Sequence, residues 1–409
     1  MKKFTTYLIE SKNTHMEHIE DNVLNGGVDG ARQSINYLRA LRDMLSGSSQ
    51  SGVDVSVKFD GSPAIFAGTD PSDGQFFVAK KGIFNKNPKI YRTPEEVDAD
   101  TSGDLATKLK LALKHLPDLN ITGVIQGDFL YSKSDLKTKK QKGVSYIVFH
   151  PNTIAYAIPD NTPLAKTIKR SKIGIVWHTK YTGTTLETMT ASFGENIADS
   201  LTASTSVWSI DAEYTDQSGT ATFTKQETKD LTAILSNAGR VFQKIDAASL
   251  NGISADDELL MRMKTFLNTK VRKQERIINV KSAVNEMIDY FTDYYKIETD
   301  KRKSTKGKAA VDVRKKLVMK YFSSTNKKNL EAILELMNHI VDAKLMLIAK
   351  MNQASSLSTF VQTDKGFKAV GEEGFVAIDK LGKNAVKLVD RMEFSYNNFS
   401  DKVIKGWQR

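Results

Sequence analysis

Between Phe223 and about Asn352 the apolar residues fall at helical spacing, and in the longer stretches on either side they mostly do not. Val284, Met287, Ile288 and Phe291 mark one helix face, and Leu330, Ile333, Leu334, Met337, Ile340, Val341, Leu345 and Ile348 mark a longer one. Upstream, Val53, Val55 and Val57 alternate with Asp54 and Ser56, the period-two pattern of a half-buried strand. Residues 51–180 read as a strand-rich body, broken by a helix over Thr101–Leu116 that Pro117 ends; residues 182–222 read as short strands and loops. From Phe360 the chain returns to strands and a short helix. Strands, then helices, then strands again make an α+β protein, and 409 residues suffice for a large core in two or more units.

Residues 1–50 read as helical. Thr14-His-Met-Glu17 has capping-box spacing ahead of Ile19, Val23 and Leu24, and Ala31, Ile35, Leu38, Leu41 and Leu45 give a second helix one apolar face. His15 and His18 stand three residues apart with Asp21 nearby. No third strong ligand is specified, so a polar surface is the simpler reading than a metal site.

Composition removes several chemistries. With no cysteine there is no disulfide, thiolate nucleophile or cysteine-ligated zinc, which is compatible with a reducing cytoplasm. No apolar run reaches the ~18 residues that span a bilayer, and the N-terminal stretch turns polar too soon for a secretory signal, so a cytoplasmic protein without a membrane partner is expected. A net charge of +11, from 59 basic and 48 acidic residues, points to a polyanionic partner, and no obligate protein partner is evident. No P-loop, His-rich zinc signature or Ser-His-Asp arrangement is present.

The first strand ends in Lys58-Phe-Asp60-Gly61-Ser-Pro63, which places a lysine at a strand end before a turn. An ammonium is a poor nucleophile. Desolvation and neighbouring cations would lower its pKa enough to free the amine. Further along stand Phe76-Phe-Val-Ala-Lys80-Lys81-Gly82, Gly123-Val-Ile-Gln-Gly127-Asp128, Tyr146-Ile-Val-Phe149-His150, Gly371-Glu-Glu373-Gly374-Phe-Val-Ala377 and Ala385-Val-Lys387-Leu-Val389.

These six stretches, in this order, resemble the motifs of the covalent nucleotidyltransferases: ATP-dependent DNA ligases, RNA ligases and mRNA capping enzymes. The resemblance covers roughly residues 51–160 and 368–392. It implies that Lys58 is the nucleophile, that Glu373 binds a catalytic Mg²⁺, and that Lys387 neutralises the α-phosphate of ATP. It also implies that Asp128 holds the ribose, Phe149 stacks on adenine, and Lys81, or Lys80 as second choice, meets a 5'-phosphate. Asp60 and Gly61 would shape the lysine loop, and Gly374 would let the backbone approach the nucleotide. The pattern departs from the family at Asp128, where glutamate is usual, at His150 for aspartate, and at Val389 for a second lysine.

The resemblance implies an adenylation domain of antiparallel sheets, ATP-grasp-like in kind, over 51–222 and 353–409. The helical block 223–352 becomes an insertion, and 1–50 a separate helical segment. Few residues follow Lys387, which implies no C-terminal OB domain and an architecture closer to RNA ligases than to DNA ligases. Lys270, Arg272, Lys273, Lys301, Arg302 and Lys303 of the insertion suit phosphate contact. The expected activity is ATP-dependent joining of 5'-phosphate and 3'-hydroxyl ends through a lysyl-AMP intermediate. RNA or an RNA-containing end is expected before DNA, and the layout brings viral ligases acting in a host cytoplasm to mind. Two alternatives stand beside it: a capping-type or other nucleotidyltransferase without end sealing, and a non-catalytic nucleic-acid-binding protein with a decayed ligase fold.

Overall fold

A computed structural model describes residues 17–47, 53–85, 87–141, 143–193, 196–214, 222–354, 357–364, 366–379 and 385–408. The chain is α+β, with three sheets and a helical body. The smallest sheet is the one that matters for the site. Its central strand, Gly374–Asp379, pairs antiparallel with Val53–Lys58 on one side and Ala385–Leu388 on the other.

The second sheet runs in the order Thr190–Phe193, Ile173–Thr182, Val124–Ser132, Ala64–Thr69, Phe76–Ala79 and Ile90–Tyr91. Val207–Asp211 joins it in parallel beside Ile173–Thr182; the other pairs between its strands are antiparallel. The third sheet is built from Gly366–Ala369, Ser358–Thr363, Ile154–Pro159, Val144–Phe149 and Lys137–Gln141, with Val403–Ile404 on Ser358–Thr363.

Each sheet face has its own apolar filling. The helix Gly103–His115 lays Leu109 and Ala112 on Ile65, Val78, Ile125 and Ile175 of the second sheet. The opposite face of that sheet meets the third across Tyr131, Phe149, Tyr156, Val176 and Trp208.

The helical body shares its apolar core with the N-terminal helix and the small sheet. The helix Gly27–Leu45 buries Leu38 and Leu41 in the same core as Leu231, Leu235, Leu334 and Ile340 of the 223–352 block. Phe375, Ala377, Val386 and Leu388 of the small sheet belong to that core too. The N-terminal helix, the helices of 223–352 and the small sheet therefore share one interior.

The first expected helix is also much reduced, to Asn22–Asn25. The Lys387 amide donates to the Glu17 carbonyl at 2.9 Å, and the Ile19 amide to the Lys387 carbonyl at 3.2 Å. Pairing with an otherwise open sheet edge satisfies these backbone groups and competes with helix formation there. His18 thus lies in a short parallel bridge opposite Lys387, and Thr14 and His15 lie outside the described residues. No helix among the described residues is long and apolar enough to cross a membrane.

Candidate active site

Several separated segments converge at Lys58. Its strand pairs in register with the next one so that Lys58 faces Gly374, and its Nζ makes an ion pair with the neighbouring Glu373. The third strand brings in Lys387, opposite Val376. A side chain at position 374 could not be accommodated, because its Cβ would stand 2.6 Å from Val389 Cγ2 and 2.7 Å from the Leu388 carbonyl oxygen.

Beyond the strand, Asp60 is buried and fully engaged. It accepts from Asn152 Nδ2 at 2.8 Å and from the Thr153 and Ile154 amides at 2.6 Å each. Its own amide donates to the Tyr156 hydroxyl at 2.8 Å. Two backbone donors and an amide side chain make this carboxylate a clamp that fixes the turn after Lys58. Gly61 then passes so close to the second sheet that an added Cβ would lie 2.5 Å from Asp128 Cβ. That close approach is what sets Asp128 beside the lysine.

The charges here are unevenly balanced. Burial is the largest influence on Lys58 and disfavours its ammonium, but Glu373, Asp128 and Asp60 together outweigh it and hold the pKa above the usual value. Carboxylates, not cations, dominate its surroundings, which corrects the expectation that neighbouring cations free the amine. Burial pushes Glu373 up to about 7 although Lys58 opposes it. Asp128 is raised to about 7 for the same reason, with Lys58 again the main opposing charge. Lys387 is lowered by burial and by the charge of Lys58; Lys81 adds to that effect, so its charge reaches the site.

His178 Nε2 lies 3.9 Å from Asp128 Oδ2. Burial lowers the imidazole to about 4, with Lys58 adding to the shift, so it is neutral at pH 7. Nothing in the sequence pattern assigns His178 a role; its strand reads only as one carrying an aromatic and a histidine. The Asn152–Ile154 turn and Phe394, whose ring centroid is 6.0 Å from Lys58 Nζ, are equally invisible there, because each reaches the site only through the tertiary fold.

Oxygen donors with excess negative charge suit a hard divalent cation, and Glu373 and Asp128 are the two carboxylates here with raised pKa values near 7. Among the described residues no group of three or more histidine or carboxylate side chains forms a metal site, so the chain would supply part of a coordination shell. Mg²⁺ characteristically takes one or two carboxylates and completes its shell with water and phosphate. The residues present fit that mode.

Alternation places Asp54, Ser56 and Lys58 on one strand face. Asp54 and Ser56 line a cleft of about 250 Å³ together with Trp177, His178, Glu213 and Tyr214. On the far side, the space between Asp60, Glu373 and Phe394 is only about 20 Å³. That is room for roughly one water molecule.

Other expected residues sit elsewhere. Phe149 is 1% exposed, with its ring 5.5 Å from Tyr156 and 4.9 Å from Tyr131, so it fills the space between two sheets and presents no face to a base. Lys80 turns to Asp100 at 2.8 Å. In the helical block Lys270 pairs with Glu275 and Glu286, and Lys301 and Arg302 both pair with Glu298. Lys301 and Arg302 therefore have a balancing acid, one turn back on the preceding helix. Lys273 and Lys303 are exposed, and Arg272 stands over Phe399 at 5.8 Å.

Residues 13–403 match the model of DUF6267, a family of unknown function, and the chain belongs to that family. No curated protein and no solved structure matches it.

Proposed function

We propose that this protein is an ATP-dependent polynucleotide ligase of the covalent nucleotidyltransferase kind, with RNA or an RNA-containing end as its substrate. The observation that carries the reading is the meeting of Lys58, Asp60, Asp128, Glu373 and Lys387 from four separate segments. The nucleotidyltransferase architecture, with the helical block as an insertion, is part of the same proposal.

In the first step the Lys58 amine attacks the α-phosphorus of ATP. A P–N bond forms, the bond from that phosphorus to the bridging oxygen of pyrophosphate breaks, and the proton of Lys58 passes to solvent water. Lys387 supplies positive charge to the α-phosphate. Glu373 and Asp128 would hold Mg²⁺, which when bound neutralises phosphate charge and competes with Lys58 for Glu373. Asp60, fixed by its three donors, keeps the Lys58 turn in place for an in-line approach. Lys81 then meets the 5'-phosphate that receives AMP, and a 3'-hydroxyl displaces the AMP to seal the ends. Phe149 is assigned no contact with adenine.

Intact mass after incubation with ATP and Mg²⁺, followed by peptide mapping, tests the reading. Gain of one AMP on Lys58, lost in Lys58→Ala, is expected. A protein shown free of prior AMP that gains none would overturn it, and labelling by GTP in place of ATP would indicate a capping-type enzyme.

A further inference from the structure

Only three aromatic side chains are exposed among the described residues, and all fall in the last segment of the chain: Tyr396 at 41%, Phe399 at 70% and Trp407 at 63%. The other large exposed apolar side chains, such as Ile278 and Leu317, are aliphatic and scattered through other elements. Isolated exposed apolar residues need no explanation, but aromatics gathered on one segment do.

The fold ties the two stretches that carry them to one turn. Tyr396 and Phe399 lie on the helix Arg391–Phe399, about 60° apart around its axis. Lys405 Nζ donates to the Asn397 carbonyl of that helix and to Thr153 Oγ1, and Thr153 Oγ1 in turn donates to Asn398 Oδ1 at 3.3 Å. The helix end and the segment carrying Trp407 are thus tied to one turn. Trp407 Nε1 donates to Asn152 Oδ1 at 3.4 Å, and Asn152 Nδ2 donates to Asp60. One amide side chain therefore separates the exposed indole from the clamp behind Lys58. On the same helix, Phe394 is 6.0 Å from Lys58 Nζ.

The charge beside this patch is mixed but includes long cations. Arg272 stands 5.8 Å from the Phe399 ring, and Lys273 and Lys402 are exposed nearby in sequence, with Glu393 and Asp401 as the accompanying acids. Exposed aromatic faces with flanking cations are how proteins hold unpaired bases: stacking is tolerant of sequence, and the cations follow the backbone.

We infer that Tyr396, Phe399 and Trp407 form a stacking platform for single-stranded nucleic acid at the rim of the Lys58 site. The inference rests on the ligase reading for its purpose, since the platform would deliver a strand end to Lys58. Binding itself needs no adenylylation, and the two can fail separately.

Trp407 makes the test direct, because the other two tryptophans, Trp177 and Trp208, are buried. Full-length Lys58→Ala protein, without ATP, is titrated with a short oligoadenylate RNA and the corresponding DNA while tryptophan fluorescence is followed. Quenching is expected, and Trp407→Phe should abolish it. Read by fluorescence anisotropy of the end-labelled oligonucleotide, Trp407→Ala and Phe399→Ala should each weaken binding about tenfold, the order of one lost base stack. Both residues are on the surface, and unchanged circular dichroism verifies that the variants fold. Arg272→Ala should weaken binding and reduce its salt dependence. Absence of quenching, or affinity that falls with Arg272→Ala but not with either aromatic substitution, would overturn the platform. Adenylylation of the wild type in the absence of strand binding would overturn the platform alone and leave the enzyme reading standing.

Discussion

Asp128 and Glu373 decide how the site responds to pH. Both are raised to about 7, chiefly by burial, and Lys58 beside them keeps its proton more firmly than a free lysine. On the proposed ligase chemistry, cation binding needs the carboxylates ionised and attack needs the lysine neutral, so all three requirements improve as pH rises. Single-turnover labelling by ATP, measured by mass, should increase between about pH 6 and pH 8 with a slope above one, and Asp128→Asn should flatten it. A pH-independent rate would rule out this arrangement of groups. Stability runs the other way. Between the ordinary carboxylate value near 4 and about pH 7 the native Asp128 holds a proton that the unfolded chain has lost, so stability falls as pH rises through that window. Asp128→Asn should therefore be about 1–2 kcal/mol more stable than wild type at pH 8 by urea denaturation, while losing activity. Gly61 gives a third expectation. Alanine there would press on Asp128 Cβ and shift the Lys58 turn, and a displacement of about 1 Å should lower the labelling rate on the order of a hundredfold.

The elements around the site are pinned by a buried ionic cluster. Lys344, in the middle of the long helix Ser324–Met351, is 1% exposed and pairs with Glu20 at 2.7 Å. Arg391, which begins the last long helix, reaches Asp21 at 2.8 Å and Glu20 at 3.6 Å. The N-terminal segment, the helices of 223–352 and the segment after Lys387 are thereby joined. Burial pushes Glu20 up, but Lys344, with Arg391 beside it, opposes that and the carboxyl is held down at about 2. His18 is kept neutral by burial, at about 3. Lys344→Met would leave Glu20 without its closest cation and should destabilise by about 3–5 kcal/mol at neutral pH, read from urea denaturation. Pairing Lys344→Met with Glu20→Leu should restore most of that loss, since the desolvated charge is gone as well. A single variant as stable as wild type would show that the pair contributes nothing. With its folded pKa depressed, Glu20 contributes stability that is present above about pH 4.5 and is lost as pH falls toward 2.

At the scale of the whole molecule, what the sequence made legible was local. Period-two alternation marked the Val53–Lys58 strand, and helical spacing marked Leu330 to Ile348 as a buried face, because both signals depend only on near neighbours. Lys344 interrupts that face, and nothing in its surroundings points to a partner 324 residues away. Phe149 misled for the opposite reason: an aromatic at a strand end fits a base-stacking role and a core role equally well, and only the sheet packed against it decides. Long-range packing between elements is hidden from the sequence in the same way. Apolar periodicity shows that Gly27–Leu45 has a buried face, but not that it shares its core with Leu235 and Leu388. This has a measurable consequence. The helices dominate far-UV circular dichroism, whereas all three tryptophans, Trp177, Trp208 and Trp407, lie outside the helical body. If the small sheet welds the two parts through Phe375 and Leu388, urea should unfold both in one transition, with coincident midpoints by dichroism and fluorescence. Two separated transitions would mean that the helical body folds by itself and only rests on the sheet. Phe375→Ala should discriminate further, because a cavity at the weld would lower both midpoints together by about 3–5 kcal/mol of stability.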